Sequence, residues 1–311
     1  MGNSLTILVY LILCYTPYMG KKKAIRTTKN PYDTGTLRHD RWEAAKERVI
    51  GIDRQRLQIG TLSEKTVHAV VKNYYEPDED HQEIPIEGKC ADIYTEDGRI
   101  IEIQTGNFSR LKSKLPVFLP DYDVTVVLPV PDRRRMIWID PETGEEVSAG
   151  AYRSALAPWP AFRELYTIRE YLSHPHMHVR FLLMNMTEYR LLNGRSRDRK
   201  HFGNTRHDRI PEELTGEIIL NEPRDYMLFL PEELTEQAQI RGAADDTATQ
   251  GATDTEAAPA GTFTSAELAR AAHIPKPYLS YVTGLLRMLG VIERLPKKQG
   301  RSWLYRIKEQ K

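Results

Sequence analysis

Cysteine is scarce in this chain, limited to Cys14 and Cys90. That excludes a disulfide framework and a cysteine-built zinc site, and it fits a reducing, cytoplasmic compartment. Net charge is nearly absent too, +1 from 44 Lys and Arg against 43 Asp and Glu, so any contact with a polyanion must come from local patches. No apolar run reaches the about 20 residues that a bilayer-spanning helix needs, and no membrane partner is expected. The apolar run at residues 5–15 is followed, not preceded, by basic residues (Lys21, Lys22, Lys23), the reverse of a cleaved signal. Residues 1–18 read as an upstream extension ahead of a start at Met19, with a weak membrane anchor as the alternative. A glycine-rich phosphate loop, a Ser-His-Asp pattern, a zinc motif and an RNA-recognition signature are also missing.

What is present centres on residues 89–104. Two alternating runs flank Glu96-Asp97-Gly98, a three-residue hairpin loop with glycine at its left-handed position. That loop sets Thr95 opposite Arg99, Asp92 opposite Glu102, and Cys90 opposite Gln104. Alternation then places Ala91, Ile93, Ile101 and Ile103 on an apolar side. Asp92, Glu102 and Gln104 share the other side with Tyr94 and Ile100. Two carboxylates facing across a ladder stand about 5 Å apart and repel. A divalent metal with oxygen ligands relieves that repulsion. The alternative is an ordinary surface hairpin whose polar face is wet.

The flanking segments give the order of elements. Residues 19–60 form a basic arm, with eleven Lys and Arg against five acids over 20–60, and a short helix over Asp40–Ile52. The arm either contacts phosphate backbone or is a solvated tail. Residues 61–75 read as a helix with a Thr61-x-x-Glu64 capping box and a Val67, Val70, Val71, Tyr74 stripe. Glu64 and His68 lie on or beside that stripe. Glu64 is either a group aimed at the sheet or only a cap, and a lone His68 is more often structural. A short edge strand over 83–88 carries Pro85, and the hairpin follows. A helix over Phe108–Leu115 comes next, with Phe108, Leu111 and Leu115 inward and Arg110, Lys112 and Lys114 outward. Residues 124–130 form an apolar strand of the kind buried on both faces of a parallel sheet.

Asp92 followed by Glu102-Ile103-Gln104 after a short hairpin, within a helix–three strands–helix–strand order, resembles the PD-(D/E)xK nuclease superfamily over residues 61–131. The departure is Gln104, where that pattern usually has Lys; an E-x-Q variant occurs in some branches. The resemblance implies an α/β, restriction-endonuclease-like αβββαβ core. It implies Mg²⁺ or Mn²⁺ held by Asp92 and Glu102, with Glu64 a further ligand by position, and phosphodiester hydrolysis. Gln104 would hydrogen-bond the attacking water without supplying positive charge. The second reading is a non-catalytic DNA-binding regulator on the same, degenerate fold.

Beyond this core, residues 133–147 read as an extra hairpin, Pro160–Leu172 as a helix, and His178–Met186 as a strand. His174, His176 and His178 alternate, but as a loop leading into that strand. Residues 193–209 are a basic loop in which Arg195, Arg197, Arg199, Lys200, Arg206 and Arg209 outnumber Asp198 and Asp208. It is read as a phosphate-binding loop beside the site, or as a merely mobile one. The nuclease-like domain thus covers 61–236, and residues 237–261, poor in large apolar groups, form a flexible linker.

Residues 262–311 form a separate domain. A Thr264–Glu267 capping box opens one helix, Pro277 starts a second with a Leu279, Val282, Leu285, Leu286, Leu289 stripe, and two strands pair around Pro296–Gly300. This order resembles a winged helix-turn-helix. The domain carries ten Lys and Arg against three acids. If it binds DNA, the second helix enters the major groove with Tyr278, Ser280, Tyr281 and Arg287 exposed at its surface and Lys276 near phosphates. Lys297, Lys298 and Arg301 would lie on the wing. Protein contact is the alternative use. The expected partner is DNA, with RNA processing as a third reading, and homodimerisation stays open.

Overall fold

The computed structural model describes residues 37–51, 65–156, 158–192, 205–234 and 261–308. The extension before Met19, most of the basic arm, Glu64, the basic residues Arg195 to Lys200 and the expected linker lie outside these described residues.

A mixed sheet of eight strands carries the chain. The strands are β1 (Gln82–Ile86), β2 (Lys89–Tyr94), β3 (Ile100–Ile103), β4 (Val124–Ile139), β5 (Glu146–Ala149), β6 (Arg153–Ser154), β7 (Met177–Leu191) and β8 (Thr205–Leu220). Their order is β1-β2-β3-β4-β7-β8, with β5 and β6 paired to β4. β3, β4 and β7 run parallel, and the remaining pairs are antiparallel. Alternation along β4 sends Val124, Val126, Leu128 and Val130 to one face and Val127 to the other, and all five are buried.

Each face is covered. Helices α1 (Leu37–Lys46) and α2 (Lys65–Tyr75) bury Trp42, Val67, Val70 and Val71 against Ile93, Ile101 and Ile103. On the other face lie the short α3 (Leu115–Phe118) and α4 (Trp159–Thr167), whose Phe162 packs edge-on against Phe229 at 4.9 Å. Ala91 joins this second cluster with Ile100, not the Ile93 cluster. Both end strands of the β1-to-β8 order carry interruptions. Pro85 stands in β1, where Glu83 also has a positive φ of 56°. On β8, the Glu212 carbonyl accepts from Trp42 Nε1 at 3.1 Å and Lys46 Nζ at 2.7 Å of α1.

Four local expectations are corrected. The hairpin expected over 133–147 forms, with Ile137–Ile139 antiparallel to β5 around the Asp140–Gly144 turn, but its first strand is no separate element: β4 runs on from Val130 to Ile139 through a bulge between Pro131 and Arg134, after which pairing with β7 resumes. Arg206 and Arg209 stand on β8, not in a loop. The helix expected to reach Leu172 ends at Thr167, with Ile168 and Leu172 buried in the following turns. Phe108–Ser113 is a 3₁₀-helix, and the α-helical turn begins only at Leu115.

The C-terminal residues form β9 (Thr262–Thr264), α5 (Ser265–Ala271), α6 (Lys276–Met288), β10 (Ile292–Gln299) and β11 (Ser302–Ile307), with sheet order β10-β11-β9. The capping box forms as the sequence reads: Thr264 Oγ1 accepts from Glu267 N–H at 3.2 Å, and Glu267 accepts from Thr264 N–H at 2.7 Å. The core of this unit is continuous with that of the sheet, because α6 packs on α4. Tyr281 meets Tyr166 edge-on at 5.6 Å, and a Cβ on Gly284 would come within 2.8 Å of Tyr166 Cε2.

Candidate active site

The β2–β3 loop is the one the sequence dictates. Thr95 N–H donates to the Arg99 carbonyl at 2.9 Å and Gly98 has φ +80°, the left-handed value that glycine adopts without strain. Ile93 faces Ile101 and Tyr94 faces Ile100. At Asp92 the ladder gives way to a side chain: its Oδ2 accepts from the Ile103 N–H at 2.7 Å. Glu102 is 0% exposed and Asp92 8%. The wet-hairpin alternative therefore fails, because both carboxyls are buried, Glu102 against Lys114 from the turn before α3 and Asp92 beside His68 of α2.

Between the two carboxyls sits an ammonium. Lys114 Nζ donates to Glu102 Oε1 at 2.9 Å and Oε2 at 2.8 Å, and stands 3.8 Å from Asp92 Oδ1. The sequence places Lys114 outward on an α-helical wheel. The 3₁₀ turn changes that, because with three residues per turn Phe108, Leu111 and Lys114 share one side. Phe108 and Leu111 are buried, and Lys114 follows them inward. Pro116 was the available signal, since proline suits the first turn of a new helix and so marks a fresh α-helical start near Leu115 and not a continuation from Phe108.

Helix α2 brings His68 to the same place, with Nε2 3.4 Å from Asp92 Oδ2. Gln104 lies half-buried just past β3, its backbone N–H donating to the Val127 carbonyl at 2.9 Å. At the rim, Cys90 Sγ lies 3.4 Å from Glu83 Oε2, and Lys72 pairs with Glu83 at 2.5 Å.

These contacts set the protonation of the cluster. Burial, then the negative charge of Asp92, push the Glu102 carboxyl up to about 8 against the pull of Lys114. Burial also acts to raise Asp92, but the hydrogen bond and charge of His68, the Ile103 N–H and Lys114 outweigh it and hold Asp92 below the usual range. Burial would lower Lys114, and Glu102 overrides it, so the ammonium is held more firmly than in water.

Among the described residues, no group of three or more His, Cys, Asp and Glu side chains stands at metal-holding spacing. The donor chemistry still fits a hard divalent ion, since two carboxylates converge on one cationic group. Asp92 and Glu102 are the residues that would hold it, with Lys114 displaced from between them.

The other expected contacts are dispersed. Arg206 is exposed and pairs across the ladder with Arg190, which itself faces Trp138 of β4. That is far along the strand from Val127 beside Glu102, roughly 35 Å if the strand were straight. Arg209 Nε instead lies 3.4 Å from the buried Glu188. His176 Nδ1 lies 3.2 Å from the Leu119 carbonyl and His178 Nδ1 3.3 Å from that of Asn221, so the histidine alternation is structural. On the C-terminal unit Lys276, Ser280, Arg287, Lys297, Lys298 and Arg301 are exposed. Tyr278 and Tyr281, expected at the open surface, are half-buried, Tyr281 because Tyr166 covers it.

No helix among the described residues is long and apolar enough to cross a membrane. No solved structure matches the chain. A protein of Treponema pallidum (strain Nichols), described as uncharacterized, is 31% identical over 146 residues, which are 46% of this chain and 58% of that protein. The chain thus spans under two thirds of that relative's length. The family described as "Domain of unknown function (DUF8091)" matches residues 65–221. That stretch is half of the 311 residues and contains His68, Asp92, Glu102, Gln104 and Lys114. The chain belongs to the DUF8091 family.

Proposed function

We propose that this protein is a metal-dependent nuclease of the PD-(D/E)xK type, hydrolysing phosphodiester bonds in DNA, on a restriction-endonuclease-like core joined to a winged helix-turn-helix. The observation that carries this reading is the meeting of Asp92 and Glu102 on one cation at the mouth of the β2–β3 hairpin. The helix, three strands, short helix and strand around it follow the αβββαβ order. Bound Mg²⁺ or Mn²⁺ would supply charge stabilisation on the phosphate and acidify a water.

The chain's own groups do the rest. Asp92 and Glu102 provide oxygen ligands, and His68 and the Ile103 amide orient Asp92 and keep it ionised. Lys114 supplies, from the turn before α3, the positive charge that Gln104 cannot. Gln104 keeps hydrogen-bonding capacity toward a water. RNA is the substrate alternative, and a cytoplasmic location and a homodimer remain part of the proposal.

The test is cleavage of linear, supercoiled and single-stranded DNA with Mg²⁺ or Mn²⁺. Cutting by the wild type that Asp92→Ala and Glu102→Ala each reduce by about 10³-fold or more supports the nuclease, given the several kcal/mol a metal supplies. Cutting that survives both changes refutes it. A second reading draws on Lys114 itself. An ammonium bonded to both Glu102 oxygens already neutralises the pair, as a non-catalytic DNA-binding regulator would require. Absence of Mn²⁺ binding by calorimetry would favour that reading.

A further inference from the structure

One side of β4 is paired in two separate pieces. β7 follows β4 along its length, so β3 and β6 share the other side, β3 at residues 124–127 and β6 at Arg133 and Arg134. Among the described residues no strand pairs with β4 between them on that side. Asp123 and Val127 turn their carbonyls to β3, accepting from Ile100 and Gln104, and alternation turns Pro129 and Pro131 the same way. Proline carries no N–H, so the stretch leaves no donor unmet where the neighbouring strand is missing. Bonding on that side resumes at Asp132, whose carbonyl accepts from Ala155 at 3.0 Å. The carboxyl pair thus ends one piece of the edge, and arginines begin the next.

Residues 132–154 carry Arg133, Arg134, Arg135 and Arg153 and no lysine. Arg135 is held internally: it donates to Thr187 Oγ1 at 2.9 Å, and its Cζ lies 5.1 Å from the Tyr152 ring centroid. Arg133 Cζ stands 6.0 Å from the same centroid, with its side chain exposed. Arg134 and Arg153 face each other directly across the ladder. Like charges so placed stand about 5 Å apart at Cβ and repel. Glu188 accepts from Arg134 at 3.2 Å, yet Arg134 keeps 41% of its side chain exposed. Arg153 is exposed and makes no ion pair among the described residues. The acids from Asp140 to Glu146 lie at the far, turn end of the β4–β5 pair, where Ile139 faces Glu146.

We infer that Arg133, Arg134 and Arg153 grip the phosphate backbone of a nucleic acid strand whose reacting phosphate lies at Asp92 and Glu102, on the far side of the unpaired stretch. The inference rests on the nuclease reading above and gives its substrate a second hold on the same domain. Glu102 pairs with Val126, seven residues before Arg133. That is about 20 Å along the strand, or about six base steps. The planar, weakly hydrated guanidinium suits bidentate phosphate contact better than an ammonium does. An incoming phosphate also relieves the Arg134–Arg153 repulsion that the ladder otherwise carries.

The test is fluorescence anisotropy of the full chain on a labelled duplex over a salt series, in chelator so that cleavage cannot enter. Arg133→Ala with Arg153→Ala is expected to weaken binding about tenfold and to flatten the slope of log K against log salt by about 2, at about 0.9 for each phosphate no longer neutralised. Arg133→Lys with Arg153→Lys should restore the slope. Arg153→Glu separates binding from folding, because the new carboxylate faces Arg134: Tm should hold or rise while binding falls about tenfold. Arg163→Ala with Arg224→Ala, two exposed arginines elsewhere, should change binding less than about threefold. Affinity and slope unchanged in the Arg133/Arg153 pair overturn the inference. So do an equal loss from the Arg163/Arg224 pair, a loss in Arg153→Glu only alongside a fallen Tm, and a wild type that binds no duplex. A wild type that fails to cut with Mg²⁺ or Mn²⁺ while Arg133 and Arg153 still govern binding refutes the nuclease alone.

Discussion

Replacing Lys114 by methionine removes the one cation from a cluster of two carboxyls, with little change in volume. The ammonium donates to both oxygens of a fully buried Glu102. Charge-assisted bonds contribute about 1.5–3 kcal/mol each, and stranding a buried ionised partner costs about 3–5 kcal/mol. Glu102 has an escape, however, because its carboxyl is pushed up to about 8 even beside the ammonium. At pH 7 it takes up a proton readily, so the loss in Lys114→Met should stay near the low end, about 2–3 kcal/mol. At pH 9 the wild-type pair is an ion pair, whereas the variant must keep Glu102 neutral against the solvent at about 1.4 kcal/mol per unit. The loss should therefore widen by about 1–2 kcal/mol between pH 7 and pH 9. At about 2–4 °C per kcal/mol for a chain of this size, the Tm deficit grows from about 7 °C to about 11 °C. Thermal unfolding of both proteins, metal-free in chelator, reads this directly. A deficit that is equal at both pH values, or that shrinks on raising the pH, would refute the assignment of Lys114 as the counter-ion of Glu102.

Other outcomes follow from the same geometry. In the metal-free wild type, Glu102 binds a proton in the folded state that the unfolded chain has released, so its contribution is full below about 4.5 and declines as pH rises through about 8. Asp92 is lowered, so its contribution is present above the ordinary carboxylate range and is lost in acid. Urea midpoints at pH 5 and pH 8 should fall in that order, and saturating Mn²⁺ should flatten the fall. Gly98→Ala puts a Cβ at φ +80° and should cost about 1–2 kcal/mol by urea unfolding, since alanine resists that conformation. Gly284→Leu overfills the contact with Tyr166, which a Cβ alone would already meet at 2.8 Å. It should cost about 1–3 kcal/mol and make the C-terminal unit more sensitive to limited proteolysis; unchanged proteolysis would show that α6 is not held there.

The hairpin was legible because its information is local. The Glu96-Asp97-Gly98 loop and period-two alternation determine which side Asp92 and Glu102 share, whatever packs above them. Helical spacing from the Val67–Val71 stripe puts His68 on the side that faces the sheet, and its Nε2 lies 3.4 Å from Asp92. The inward turn of Lys114 was not legible, because the choice between 3.6 and three residues per turn rests on tertiary contact, here the burial of Phe108 and Leu111. β8 escaped notice for a related reason. Its Asp208 falls in the segment that reads as a basic loop until Thr66 donates to it at 2.7 Å, and farther along the strand Tyr75 donates to Glu217 at 2.6 Å. Partners more than a hundred residues away leave no periodic trace in the strand itself. The C-terminal unit shows the converse: its capping box and stripes were readable, but its seat on α4 was not, since Gly284 and Tyr281 read equally well as open surface.

The interrupted end strands of the sheet bear on how this molecule meets another. Proline and a left-handed glutamate interrupt β1, and α1 is bonded over β8 at Glu212. Each interruption disfavours pairing of a further strand at the place where it stands on these two end strands. Surface substitutions can alter the choice of partner while leaving the ladder, and the carboxyl pair it carries, untouched.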